Sequence, residues 1–391
     1  MCEPSEAHGT SPGEVPKYTA QKDLTISNRM IEPVAIRSLQ CADHAQNIPP
    51  TVLSVQWFVG KRCNYDCTYC SPHIHDQVSD FLDLPKMLDL ICGLQVHAQS
   101  QGKKIKWTIT GGEPFLDPSL LSAVGKIHQH EATEQINITT NGSLKFSLYS
   151  KFLPYLKGIT VSLHPERTLQ EIEKTMDTVV KIQQDGRCFV SVNLMCMPGR
   201  LDWAKAVRRQ LESTGIPYVA RRIHPPMHQP DLLPWIENSK KRKDRVLLDQ
   251  NQQAQNKIQW KIMYDNTQQQ NHSNYYNQNE LDFITEANQN NSWNNIGVWT
   301  KQSEYSELNT DSLVQFDQNR FFGWQCWSGV DSLYIDYDRQ IYRGMCMEGG
   351  VLESRKFAQE PITCSRRWCH CNADIAVRKC KSSAQHSLIM T

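Results

Sequence analysis

The sequence predicts an α/β fold: a partial (β/α)6 TIM-like barrel followed by a small cysteine-rich C-terminal domain. Three observations carry this. Six short apolar runs alternate with helix-period segments between residues 51 and 227, the pattern of parallel βαβ units. Six strands are too few to close an eight-stranded barrel, which leaves an open one. The unusual polar and cysteine motifs each follow a strand, so they gather at the C-terminal strand ends, where such folds build their sites.

The elements follow in order. LSVQWFVG (53–60) is an apolar run suited to a buried strand, and FLDLPKMLDLICGLQVHAQ (81–99) spaces Leu and Ile as a helix does. Strands are expected at 105–112, 136–142, 158–166, 188–198 and 217–225, with helices at 119–130, 144–156, 168–184 and 202–215. Farther on, SLYIDYDRQIYRG (332–344) reads as a hairpin, with alternating apolar residues flanking a polar Asp-Arg turn. Residues 1–50 are expected as a polar N-terminal extension, 51–227 as the barrel, 228–320 as an Asn/Gln-rich insertion or linker, and 321–391 as the cysteine-rich domain.

Composition narrows the class. The chain has 391 residues and a formal net charge of +1, so no global field points to nucleic acid or an anionic membrane. One basic run, KKRKDR (240–245), is weak support for a nucleic-acid role. No run of 18 apolar residues predicts a membrane span. The first residues lack the apolar stretch of a secretory signal. Fourteen cysteines in a chain that reads as cytoplasmic suggest metal or redox chemistry rather than disulfides.

The cysteines fall into two clusters. Cys63, Cys67 and Cys70 follow the first strand with spacing C-x3-C-x2-C. A structural zinc takes four ligands, so an odd set of three leaves one coordination place open. Cys326, Cys346, Cys364, Cys369, Cys371 and Cys380 form the second cluster. Cys2, Cys41, Cys92, Cys188 and Cys196 are isolated and read as small incidental residues.

Cys63-x3-Cys67-x2-Cys70, with Tyr69 just before the last cysteine, resembles the signature of radical S-adenosylmethionine (SAM) enzymes. Gly111, Gly112, Glu113 and Pro114, one strand later, are similar to that family's second motif. The resemblance covers about 51–225. It implies a 4Fe–4S cluster held by the three thiolates, its fourth iron chelated by the amino and carboxylate groups of SAM. Reductive cleavage of SAM would give methionine and a 5′-deoxyadenosyl radical that abstracts hydrogen from a substrate C–H. It also implies a reductase or a flavodoxin- or ferredoxin-type electron donor. In the family the GGEP motif meets the methionine amino group, so Glu113 is the natural partner for an ammonium; a carboxylate at a helix start is the other reading. Thr140, Asn141 and Ser162 are candidates for the ribose and Asn193 for the adenosyl part, each also open to a local turn or cap bond. Tyr69 shields the cluster, contacts adenine, or packs. His164, Arg221, Arg222, His224 and His228 lie near the same rim without an assigned role.

The tail resembles the twitch or SPASM extension that carries auxiliary iron–sulfur clusters in many radical SAM enzymes. The full pattern has seven cysteines and a hairpin-turn glycine; here there are six, and Arg339 stands at the turn. One second 4Fe–4S cluster fits, with Cys326, Cys346, Cys369 and Cys371 as preferred ligands, Cys364 as the substitute and Cys380 as a spare thiol. A four-cysteine zinc site is the alternative, because spacing alone does not separate the two. The substrate implied is a peptide or natural product, or alternatively a small metabolite such as a sugar or nucleoside undergoing dehydrogenation or isomerisation. A non-catalytic zinc or iron–sulfur interaction module is the third reading.

Overall fold

A computed structural model describes residues 33–38, 51–67, 69–70, 75–223, 276–289, 295–300, 305–315, 318–352, 357–366, 368–369 and 371–381. The basic run 240–245, His224, His228, Cys2 and Cys41 lie outside them. The strands are β1 (Pro33–Ser38), β2 (Val52–Phe58), β3 (Lys104–Thr110), β4 (Thr133–Thr140), β5 (Gly158–Leu163), β6 (Phe189–Cys196), β7 (Tyr218–Arg222), β8 (Asn295–Thr300), β9 (Tyr305–Asn309), β10 (Gln325–Cys326), β11 (Ser332–Ile335), β12 (Ile341–Tyr342), β13 (Ile362–Thr363) and β14 (Lys379–Cys380). The helices are α1 (Leu84–Ser100), α2 (Leu120–His128), α3 (Phe146–Tyr149), α4 (Leu169–Asp185), α5 (Leu201–Thr214), α6 (Gln278–Asn288), α7 (Thr310–Gln315) and α8 (Asn372–Ala376).

The six expected barrel strands are present and parallel, in the order β2-β3-β4-β5-β6-β7. Their sequence explains the layering. In β3, buried Ile105, Trp107 and Ile109 alternate with the more open Lys106, Thr108 and Thr110, the period of two that separates the two faces of a strand. Leu90, Leu94, Val124, Ile127, Val179, Ile182, Val207 and Leu211, from α1, α2, α4 and α5, join the same core. Helix α4 starts at a capping box made by Thr168 and Glu171 and ends at Gly186, whose φ of 73° is the left-handed cap a glycine allows.

The helix expected over 144–156 is broken into one turn, α3, and a 3-10 turn at Leu153–Tyr155. Pro154 supplies no N–H and its ring crowds the carbonyl four residues back, so a continuous helix cannot pass through it.

Two features extend the barrel. Strand β11, the first arm of the expected hairpin, pairs in parallel with β2, and β12 closes the hairpin beyond it, giving an eight-stranded sheet. The turn holds Arg339 at φ 65°, the left-handed region where glycine is cheapest. Tyr337, on the same loop, lies 3.8 Å from the Lys61 ammonium and edge-on to Phe58, so the tail hairpin braces the start of the first cysteine loop. At the other edge, Asn288 of α6 donates to the Ala220 carbonyl and accepts from its N–H, both at 2.9 Å. That covers part of the exposed ladder of β7.

A second, six-stranded sheet has the order β13-β10-β14-β1-β8-β9, with its pairs antiparallel. It draws on the spans that the sequence reads as a polar extension and an insertion or linker. Strand β1 lies within the 1–50 extension, and α6, β8, β9 and α7 lie within the 228–320 insertion. Ala35, Ile36, Phe283, Ile284, Ile296 and Val298 are all buried there. Each apolar run is short and set in polar surroundings, so periodicity alone does not announce it.

Candidate active site at the C-terminal strand ends

The loop after β2 carries the three cysteines. Its backbone is tied to the turn after β3: Val59 N–H donates to Thr110, Gly112 N–H to Gly60 and Glu113 N–H to Arg62, each at 2.8 Å. The two glycines make this approach possible. A Cβ on Gly112 would overlap the carbonyl oxygens of Lys61 and Arg62, and one on Gly111, whose φ is 143°, would lie 2.7 Å from the Gly60 carbonyl oxygen. Cys63 and Cys67 are buried and Cys70 is half-buried.

Glu113 joins the motifs. It is 2 % exposed. One carboxylate oxygen accepts from the Thr140 hydroxyl at 2.7 Å and from Phe115 N–H at 3.2 Å; the other accepts from Asn141 N–H at 2.7 Å. Asn141 then donates through its side chain to Asn64 at 2.9 Å and stands 3.8 Å from the Cys63 sulfur. Thr140, a ribose candidate from sequence, faces this carboxylate. Its hydroxyl is buried on Glu113 and beside the Tyr149 hydroxyl at 3.3 Å, so it positions the carboxylate. Glu113 also caps the 3-10 turn at Pro114–Leu116.

On the next strands Asn193 donates to Ser162 at 3.3 Å and accepts from Arg221 at 3.2 Å, a polar row across β5, β6 and β7. Tyr69 stacks on His164 and hydrogen-bonds its Nδ1, which also lies 3.6 Å from the Cys67 sulfur. Burial pushes the His164 imidazole down to about 4, so it is neutral near pH 7. Sequence placed His164 at the rim but gave no sign that it would touch Cys67.

The second cysteine cluster surrounds a small cavity. Cys326, Cys346, Cys364 and Cys369 line it, together with Asp374 and Lys379. Cys371, a preferred ligand from spacing, is not among the lining residues, whereas Cys364, the substitute, is. The reason is local. Cys371 is the N-cap residue of α8, and its thiol is close enough to Arg221 and Tyr334 to perturb them electrostatically. Cys364 follows β13, which pairs with β10, the strand of Cys326. Cys380 is fully buried in a small apolar group with Ala35, Trp327 and Val377. Lys379 and Asp374 were not singled out from sequence, since NADIAVRK reads as an ordinary polar helix end.

Residues 57–210 match the model of the Radical SAM superfamily. That stretch is similar to radical SAM domains. Among curated proteins it is similar to the GTP 3′,8-cyclase of Staphylococcus saprophyticus subsp. saprophyticus, 40% identical over 91 residues, 22% of this chain and 26% of that protein. It is also similar to the GTP 3′,8-cyclase of Staphylococcus aureus, 39% identical over 93 residues with the same coverage. The chain thus spans about a quarter of the length of these relatives. Among solved structures it resembles Streptococcus suis SuiB bound to S-adenosylmethionine (11% identity, TM-score 0.43, 79% of this chain and 65% of that one). It also resembles anSMEcpe with bound AdoMet (12% identity, TM-score 0.45, 78% of each chain).

The residues of this stretch fit the 4Fe–4S cluster and SAM that the resemblance implies. Burial pushes the Cys70 thiol up to about 12 and that of Cys67 higher still. Buried thiols stay protonated unless a metal takes up their charge. Burial likewise pushes the Glu113 carboxyl up to about 7, against the hydrogen bonds it accepts. Among the described residues no basic side chain forms an ion pair with it. An ammonium group would offset that burial.

One consequence concerns the glycine cradle. Gly112→Ala should push the cysteine loop off the β3 turn and cost about 1–3 kcal/mol by overpacking. Thermal unfolding measures the cost. Spectroscopic titration with SAM should show binding weakened more than in Gly125→Ala, where a Cβ meets open space. Equal effects from the two variants would contradict the cradle.

Proposed function

We propose that this chain is a radical SAM enzyme that abstracts hydrogen from a C–H bond of a peptide or other natural product. The convergence of the Cys63, Cys67 and Cys70 loop with Glu113 and Asn141 at one barrel rim supports this reading. When bound, a 4Fe–4S cluster and SAM supply reductive cleavage of the sulfonium to methionine and a 5′-deoxyadenosyl radical. Cys63, Cys67 and Cys70 would hold the cluster. Glu113, kept in place by Thr140, Asn141 and Phe115, would accept from the SAM amino group. Ser162 and Asn193 offer polar groups to the adenosyl half. Tyr69 and His164 cover Cys67 and keep water from it.

The four-thiol cavity of Cys326, Cys346, Cys364 and Cys369 is proposed as an auxiliary 4Fe–4S site. A flavodoxin- or ferredoxin-type protein would supply electrons, and the thiol-rich chain suits the reducing cytoplasm. The test is direct. Reconstituted anaerobically with iron and sulfide and reduced, the protein should release 5′-deoxyadenosine from SAM. Incorporation of zinc alone, with no nucleoside released, would sink the reading.

The Glu113 assignment carries a pH dependence. A folded-state value near 7 lies above that of the unfolded carboxyl, so this group's stabilising contribution is present at low pH and lost as pH rises through about 7. The SAM amino group reverses the preference, because its N–H donates to the carboxylate. SAM affinity should therefore fall as pH drops below 7, approaching about tenfold per pH unit well below that value. Equilibrium dialysis of the cluster-loaded protein measures it, and Glu113→Gln should remove the slope.

A further inference from the structure

Lys379 is 2 % exposed, and fully buried lysines are rare unless paired. It lies on β14, its register partner on one side being Cys326 and on the other Ile36. Its ammonium is fixed by carbonyls at the end of α8. It donates to Asp374, to Val377 at 3.0 Å and to Ile375 at 3.4 Å. It also lies 5.2 Å from the centre of the Phe321 ring. The same side chain lines the cavity of Cys326, Cys346, Cys364 and Cys369. A carboxylate faces that cavity too. Asp374 accepts from Cys346 N–H at 2.8 Å and Met345 N–H at 3.2 Å, so it is committed to shaping the Cys346 loop. Glu348 and Arg366, at the cavity wall, pair with each other at 3.0 Å. Among the described residues lining the cavity, the cation left is Lys379.

We propose that Lys379 is a built-in counter-cation of the four-thiol cavity, raising the reduction potential of an iron–sulfur cluster held there. This rests on the auxiliary-cluster reading above. A cluster held by four thiolates is an anion, and taking one electron from its donor adds one more negative charge. A fixed ammonium in a poorly solvated wall favours the more negative form. Lys379 thus makes the cavity a better electron acceptor without touching an iron.

The experiment uses the full chain with Cys63, Cys67 and Cys70 changed to Ala, so that any cluster present is the one in the cavity. Iron content is counted, and the midpoint potential is read by dithionite titration followed by EPR. Lys379→Gln keeps two N–H donors toward the carbonyls and drops the charge; Lys379→Met drops both. Both should shift the potential to more negative values, and Lys379→Arg should hold it near that of the parent. An iron-loaded Gln or Met variant with an unchanged potential overturns the role of Lys379 and leaves the auxiliary cluster standing. A parent protein that folds and binds no iron overturns the cluster and the proposal together. Should neither neutral variant fold, pulsed EPR of the reduced parent labelled with 15N-lysine decides: coupling to one lysine nitrogen is expected, and its absence refutes the proposal.

Discussion

Cys67→Ala should bring 5′-deoxyadenosine release down to the level of a protein-free control, measured by chromatography and mass spectrometry after anaerobic reduction. The size of the effect follows from the loop's arithmetic. Three thiols are the whole protein contribution to the proposed cluster, and losing one leaves another iron without a thiolate ligand. Cys67 is also the buried centre of its surroundings. Its sulfur lies against His164, and Tyr69, Ile223 and Met195 pack around it. Alanine there removes a ligand and opens a small gap while leaving the β2–β3 backbone ties intact. The variant should therefore keep its fold, and its circular dichroism should match the parent's. Wild-type release from Cys67→Ala would remove the three-cysteine loop from the chemistry.

Cys346→Ala and Cys371→Ala should separate sharply in iron content. The parent should hold about eight irons per chain, Cys346→Ala about four, and Cys371→Ala about eight, if each site is a closed or three-thiolate 4Fe–4S cluster. Cys346 sits on the cavity wall with its N–H fixed by Asp374, whereas Cys371 starts α8 outside that wall. Loss of the cavity metal should also lower the thermal midpoint, because ligation contributes folding free energy to a region with a small apolar core. Four irons in both Cys346→Ala and Cys371→Ala would restore the ligand set expected from spacing, whereas eight in Cys346→Ala would contradict both sets.

The cysteine loop, GGEP and the βαβ alternation are local patterns, and local patterns are legible in a sequence. A run such as LSVQWFVG must bury itself as a strand wherever it goes. A glycine pair followed by Glu113 and Pro114 dictates a turn in any setting. The sequence by itself therefore determined six parallel strands, the rim on which the motifs meet, and the hairpin at 332–344. The tertiary structure decided what those motifs touch. Nothing in TTNG says that Thr140 will turn its hydroxyl to Glu113 rather than to a ligand, because that choice depends on where β4 lies beside the β3 turn. Nothing in the spacing of Cys364, Cys369 and Cys371 says which thiols face Cys326. The pairing of β10 with β13 and the start of α8 decide it. The same holds for β11, which joins the barrel beside β2 across a gap of more than 270 residues, and for Lys379, a common surface residue until the fold buries it against four sulfurs. A contact between distant segments is set by packing and backbone pairing, and neither leaves a periodicity in the chain.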